Sequence, residues 1–250
     1  MYYHKSLLFI MIMVLISSVV VAQDATEIIQ KMDNKMRGES LEAELSMTIV
    51  RPSWDRTVSM KSWSRDTEYS LILITAPARD EGTAYLKRGN EIWNWVPSVG
   101  RTIKMPPSMM MQSWMGSDFT NDDLVRESSV VVDYEHELAG EETIEGYECY
   151  KIEMTPKPDA PVVWGRVDVW VTKEEYMQLR TEFFDEDGEL INVMKGMNVK
   201  EFDGRLIPSK MEMIPQDKEG HKTVMEYKSM KFNEGIPESF FSVQNMRRVQ

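Results

Sequence analysis

LEAELSMTIVR, residues 41–51, alternates apolar and polar side chains. Leu41, Ala43, Leu45, Met47 and Ile49 point one way; Glu42, Glu44, Ser46 and Thr48 point the other. A period of two is that of a β-strand. One apolar and one polar face is the pattern of an antiparallel sheet that is wet on one side. Just upstream the period is helical. Over Asp24–Gly38, the residues Ile28, Ile29, Met32, Lys35 and Met36 follow helical spacing and give one apolar face. Asp24 is the expected N-cap, with Glu27 completing a capping box, and Gly38 is the expected stop.

Downstream, strands follow in quick succession. Arg56–Trp63 and Tyr69–Thr75 come first, and the SLILIT of the latter is apolar on both faces, as in a strand covered on both sides. Thr83–Lys87 and Glu91–Val96 form a hairpin, Val130–Leu138 pairs with Tyr147–Thr155, and Val162–Thr172 follows. In that last segment Val163, Val167, Val169 and Val171 share one face, and Trp164 and Trp170 the other. Glu186-Asp187-Gly188 is a tight hairpin turn. Arg205–Ile214 and Thr223–Phe232 make the last pair, and Ile236, Phe240 and Phe241 in the tail are placed to dock on the sheet. About a dozen strands, one N-terminal helix and a short helical insert near 107–125 define an α+β, mainly β chain. A sheet of this size must twist and curl. The expected architecture is a curved antiparallel sheet forming an unclosed half-barrel, its concave face covered by the N-terminal helix and a helical flap.

Residues 1–22 read as a secretory signal peptide. They have a weakly positive start at His4 and Lys5, an apolar run from Leu7 to Val21, and a small-residue site at Val20-Val21-Ala22. Residues 23–250 are then a single domain, expected in the periplasm. Cys149 is the only cysteine, so no intramolecular disulfide forms. The formal charge is −12, and cleavage would remove Lys5 and no acid. Such an acidic surface argues against nucleic acid and against anionic headgroups as partners.

Sites of chemistry are scarce. His136 shares a strand face with Val132, Tyr134 and Leu138, and His221 sits in a polar loop. With one cysteine and no histidine pair, no metal or cofactor site is expected. Asp185-Glu186-Asp187-Gly188 lacks the spacing of a calcium loop. Ser117 has no base beside it, so it reads as punctuation, with Thr120 as an N-cap and Asp123 three residues on.

What stands out is GNEIWNWVPSVGRTIKMPPSMMMQSWMGSDFTNDDL, residues 89–124, with three of the seven tryptophans and five of the 21 methionines. Pro and Gly interrupt it too often for a rigid core helix. Methionine repacks around varied apolar shapes, so the stretch reads as a mobile flap over an apolar concavity. The expected lining is Trp93, Trp95, Met109, Met110, Met111, Trp114, Met115 and Phe119. Ordinary core packing is the competing reading of the same side chains.

Several pieces together resemble a known family. The helix 24–38 leads into a long alternating strand. Trp63-Ser64-Arg65-Asp66-Thr67-Glu68-Tyr69 fits the family's strand–turn–strand. Gly89-Asn90-Glu91-Ile92-Trp93-Asn94-Trp95-Val96-Pro97 fits its aromatic hairpin. Trp114-Met115-Gly116-Ser117-Asp118-Phe119-Thr120 with Asp123-Leu124 is the most specific piece. The chain resembles the outer membrane lipoprotein-sorting proteins of the LolA/LolB-like superfamily, in its LolA-like domain branch. The resemblance implies a non-enzymatic periplasmic carrier whose cavity takes lipid or lipoprotein acyl chains. It implies an inner-membrane transporter as donor, an outer-membrane acceptor, and a monomeric protein. It also implies an arginine gate, matched by Arg65, although the residues equally allow Arg65 to pair locally with Asp66 or Glu68. Two other readings share the fold: an envelope-stress sensor, and a lipid hydrolase if Ser113 or Ser117 met His136.

Overall fold

A computed structural model describes residues 24–126 and 129–249. The signal peptide expected at 1–22 lies outside them. Helix α1 spans Ala25–Arg37. Thirteen strands follow. They are β1 Ser40–Arg51, β2 Trp54–Arg65, β3 Tyr69–Ala76, β4 Ala84–Arg88, β5 Glu91–Val96, β6 Arg101–Lys104, β7 Tyr134–Ile144, β8 Tyr147–Pro156, β9 Arg166–Thr172, β10 Gln178–Phe184, β11 Leu190–Phe202, β12 Arg205–Pro215 and β13 Lys222–Phe232. A single turn of helix, α2, Val243–Met246, ends the described chain.

The strands form one sheet in the order β6-β5-β4-β3-β2-β1-β13-β12-β11-β10-β9-β8-β7. Each pairs antiparallel with its neighbours, and β13 joins the two halves by pairing with β1. The two edges are β6 and β7, which are consecutive in sequence but lie at opposite ends of the sheet. The chain between them, residues 105–133, therefore has to travel from one edge to the other. That topology places the methionine-rich flap across the open side of the half-barrel.

The concave face is the main core. Ala43, Leu45, Met47 and Ile49 of β1 all enter it, in the alternation read from residues 41–51. Helix α1 lays Ile28, Ile29 and Met32 on the same core. Its start is capped by Asp24, whose carboxylate accepts from the Thr26 N–H at 2.9 Å. The expected capping-box partner Glu27 instead pairs with Lys31 at 2.7 Å, the next turn's cation. Gly38 ends the helix at φ 62°, where a β-carbon would meet Asn233 Oδ1 at 2.7 Å. Arg205 of β12 donates to the carbonyls of Asn34 and Lys35, tying the helix end to the sheet.

Strand β3 is covered on both sides, as its sequence predicts. Ile72 and Ile74 join the concave core, while Leu71 and Leu73 join a second cluster on the outer face. The tail closes that second cluster, with Phe241 wholly buried and Phe240 edge-on to Trp63 at 5.4 Å.

Two boundaries differ from expectation. The strand predicted over Val130–Leu138 begins at Tyr134, because Ser129 and Asp133 close a turn first. The strand predicted over Val162–Thr172 begins at Arg166. There Gly165 lies so near the next strand that a β-carbon would sit 2.3 Å from the Asp185 carbonyl. Trp164 is thereby turned onto the concave core, while Trp170 stays on the outer face, so the two do not share a side.

Candidate functional site

The flap is less helical than its sequence suggests. Pro107–Met109 is one turn of 3-10 helix and Asp122–Arg126 one turn of π-helix. Between them Ser113 and Thr120 form a β-bridge, and Trp114 N–H donates to the Phe119 carbonyl at 2.8 Å. The tip turns through Met115 and Gly116, both at positive φ. Asn121 donates its side-chain amide to the carbonyls of Met109 and Gln112, stitching the base. The N-cap read at Thr120 is present in reciprocal form. Asp123 accepts from the Thr120 N–H at 2.8 Å, and the Thr120 hydroxyl accepts from the Asp123 N–H at 3.1 Å.

Two arginines moor this loop to the sheet. Arg51, at the end of β1, binds Asp118 at 2.9 Å and donates to the Gly116 carbonyl at 2.9 Å. Both partners of the ion pair are nearly buried, with side chains 10% and 5% exposed. Thr223 of β13 completes the clasp by donating to the Asp118 carboxylate and accepting from its N–H. Arg56 donates to the Met115 carbonyl at 3.2 Å and pairs with Asp80 at 2.7 Å. Burial alone would raise the Asp80 carboxyl, but hydrogen bonds from Arg79 and Arg56 hold it below its ordinary range. Tyr85, tilted against Trp114 at 5.4 Å, has its phenol pushed up to about 12 by burial and by the Asp80 charge.

Under the flap, between it, α1 and the concave sheet, lies a cavity of about 300 Å³. Methionines dominate its wall, among them Met32, Met60, Met154, Met211, Met213 and Met225, from α1 and four different strands. Trp114, Phe119 and Trp164 form its roof and one flank.

The expected lining residues divide. Trp114 and Phe119 line the cavity and are wholly or almost wholly buried. Met110 is buried in the same core, and Met109 and Met115 pack half-buried against it. Met111 is 60% exposed and faces a neighbouring groove of about 540 Å³ beside the flap. Trp93 and Trp95 lie on the other side of the sheet. Ile92 takes the inward position of β5, so its neighbours point outward and pack under the C-terminal tail. Arg65 is also elsewhere. It is 41% exposed and pairs with Asp66 at 3.6 Å. It ends β2, whereas Arg56, the residue of β2 whose guanidinium binds the flap, is near the start of that strand, about 30 Å away at ~3.3 Å per residue. The sequence offered no signal for Arg51, whose partner Asp118 is 67 residues away.

The histidine is structural. His136 hydrogen-bonds the Val130 carbonyl at 2.7 Å and Thr26 of α1 at 3.2 Å. Ser113 donates to the Ser117 carbonyl inside the flap. No serine–histidine pair is thus made by these residues. Among the described residues there is no group of three or more His, Cys, Asp or Glu side chains placed to hold a metal.

Fold and cavity define an open antiparallel half-barrel capped by a helix and a flap. A family model described as an uncharacterized protein matches residues 66–248, and the chain belongs to that family. Comparison with curated proteins finds no match. Among solved structures, the chain is similar to a DUF1329 family protein from Desulfovibrio piger, at 26% identity and a TM-score of 0.79, covering 89% of this chain and 97% of the other. A second is a protein from Vibrio parahaemolyticus described as an outer membrane lipoprotein-sorting protein domain, at 22% identity and a TM-score of 0.79, covering 90% and 98%. A third is a LolA superfamily protein from Nitrosomonas europaea, at 24% identity and a TM-score of 0.77, covering 89% and 99%.

Proposed function

We propose that the protein is a non-enzymatic periplasmic carrier that binds acyl chains of a lipid or lipoprotein under the flap and passes them between membrane partners. The observation that carries this reading is the methionine-walled cavity closed by a loop moored at two arginines. Soft thioethers accept chains of varied shape, and each buried CH₂ contributes about 0.8 kcal/mol. The volume is at the small end of the ligand-pocket range, so a long chain enters only as the flap lifts. The signal-like residues 1–22 support an envelope location, as does the likeness to a lipoprotein-sorting domain. An inner-membrane donor and an outer-membrane acceptor would give the transfer its direction.

The test is to purify the protein from the bacterial envelope, record native mass spectra, then denature it and extract lipid. A co-purified acyl lipid at about one per chain is expected. Empty protein that also fails to enhance the fluorescence of phenylnaphthylamine, an uncharged apolar probe, would refute the carrier.

A further inference from the structure

One strand changes character along the cavity. On β2, Arg56, Val58, Met60, Ser62 and Ser64 each lie beside a concave-face residue of β1. Arg56 binds the flap, Val58 and Met60 join the apolar core, and the two serines follow at the same spacing of two. Both serines line the cavity, as do Asp33 and Arg37 of α1. Ser64 is only 8% exposed. Neither serine hydroxyl has a hydrogen-bond partner among the described residues, yet neither oxygen is sealed away, as the indole nitrogen of Trp114 is. A hydroxyl both donates and accepts, and one left unpaired in an apolar cavity costs free energy until a partner arrives. This end of the cavity adjoins a polar crevice of about 490 Å³. Asp33 and Arg37, paired at 2.8 Å, line both spaces, and Glu39, Asp66, Thr67 and Asn233 help to line the crevice. At the flap end the divider is apolar. There buried Phe119 and Trp164 stand between the cavity and the groove beside the flap. A polar head is desolvated less in passing an ion pair than in passing two packed aromatic rings.

Resting on the carrier reading, we propose that the cargo is an acylglycerol held in one direction. Its acyl tail points toward the flap, its ester-linked glycerol meets the hydroxyls of Ser62 and Ser64, and whatever lies beyond leaves through the crevice past Asp33 and Arg37. That glycerol is the chemistry shared by a free glycerolipid and the lipid anchor of a lipoprotein. A bare hydrocarbon would fill the same walls and leave both hydroxyls unpaired. The flap thus covers the tail, and the serines of β2 recognise the linkage.

The experiment is photolabelling with two analogues of monododecanoylglycerol, one carrying a diazirine on the glycerol and the other at the chain terminus, with labelled peptides mapped by mass spectrometry. The glycerol diazirine is expected to label 62–64 of β2 and 33–37 of α1, and the terminal one 114–119 of the flap. The reverse pattern, or a glycerol label in the groove beside Met111 and Asn192, overturns the orientation and leaves the carrier standing. Labelling by neither analogue removes both. Ser62→Ala with Ser64→Ala should raise the concentration of monododecanoylglycerol that displaces phenylnaphthylamine about tenfold, the worth of two neutral hydrogen bonds, and leave that of dodecane unchanged. No change for the ester, or an equal loss for dodecane, refutes the role of the hydroxyls. The parent labelling decides the orientation even if the variant fails to fold. A diacylglyceryl-cysteine peptide with the same glycerol diazirine separates the two sources. Labelling of 62–64 at lower concentration than the free acylglycerol needs assigns a lipoprotein anchor, and the converse assigns a free glycerolipid.

Discussion

Trp114→Ala is expected to weaken the docked state of the flap by about 3–5 kcal/mol, the range for truncating a large buried aromatic side chain. Acyl-probe affinity should fall at least tenfold. Trp114 has no exposed surface, roofs the cavity and leans on Tyr85. Removing it deletes part of the wall and the main apolar anchor of the loop together. The informative control is Phe241→Ala. Phe241 is as deeply buried, but on the outer face under the tail, stacked with Tyr69 at 5.5 Å. It should cost a similar 3–5 kcal/mol, seen as about 2–4 °C of melting temperature per kcal/mol for a domain of this size, and leave affinity nearly unchanged. Calorimetry and probe titration on both variants separate the two faces. Equal loss of binding in both would mean that the cavity is not the binding site.

Arg51→Ala is the second large effect. Removing one partner of a buried ion pair costs about 3–5 kcal/mol, because the other charge is left unpaired. Asp118 here sits on a loop and escapes to water by undocking. The expected cost therefore falls on flap closure more than on global unfolding. Amide hydrogens of 114–120 should exchange about a hundredfold faster or more, with little change in β1 and β13. Probe release should speed up in parallel. An unchanged exchange rate in 114–120 would show that Arg51 does not hold the flap. Arg65→Ala, on an exposed pair with Asp66, should change neither.

Much of the architecture was legible because it rests on short-range patterns. The alternation in 41–51 gave the inward face of β1, and SLILIT gave a strand buried on both sides. Asp24 and Gly38 gave the helix limits. The likeness to the sorting family anticipated an open half-barrel with a plugged concave face. The flap was recognisable by composition, and its necessity follows from strand order, which no local signal contains. The site was less legible for a related reason. Spacing shows that Trp93 and Trp95 share a face but does not say which one; that is decided by Ile92 and by where the tail lands. Trp164 was assigned by extending the β9 alternation through Gly165, the position where close approach to Asp185 interrupts it. The cavity floor is drawn from strands far apart in sequence, so no local signal marks its methionines. Arg51 looked like the end of a strand, because its meaning lies entirely in Asp118 and Thr223 across the fold.

The most direct test is a crystal structure of the protein bound to a dibrominated acyl methyl ester, with bromine located by anomalous scattering. The account predicts bromine under the flap, among Trp114, Met60, Met211 and Met213. Bromine on the outer face against Trp93 and Trp95, with the space under the flap unchanged, would contradict it.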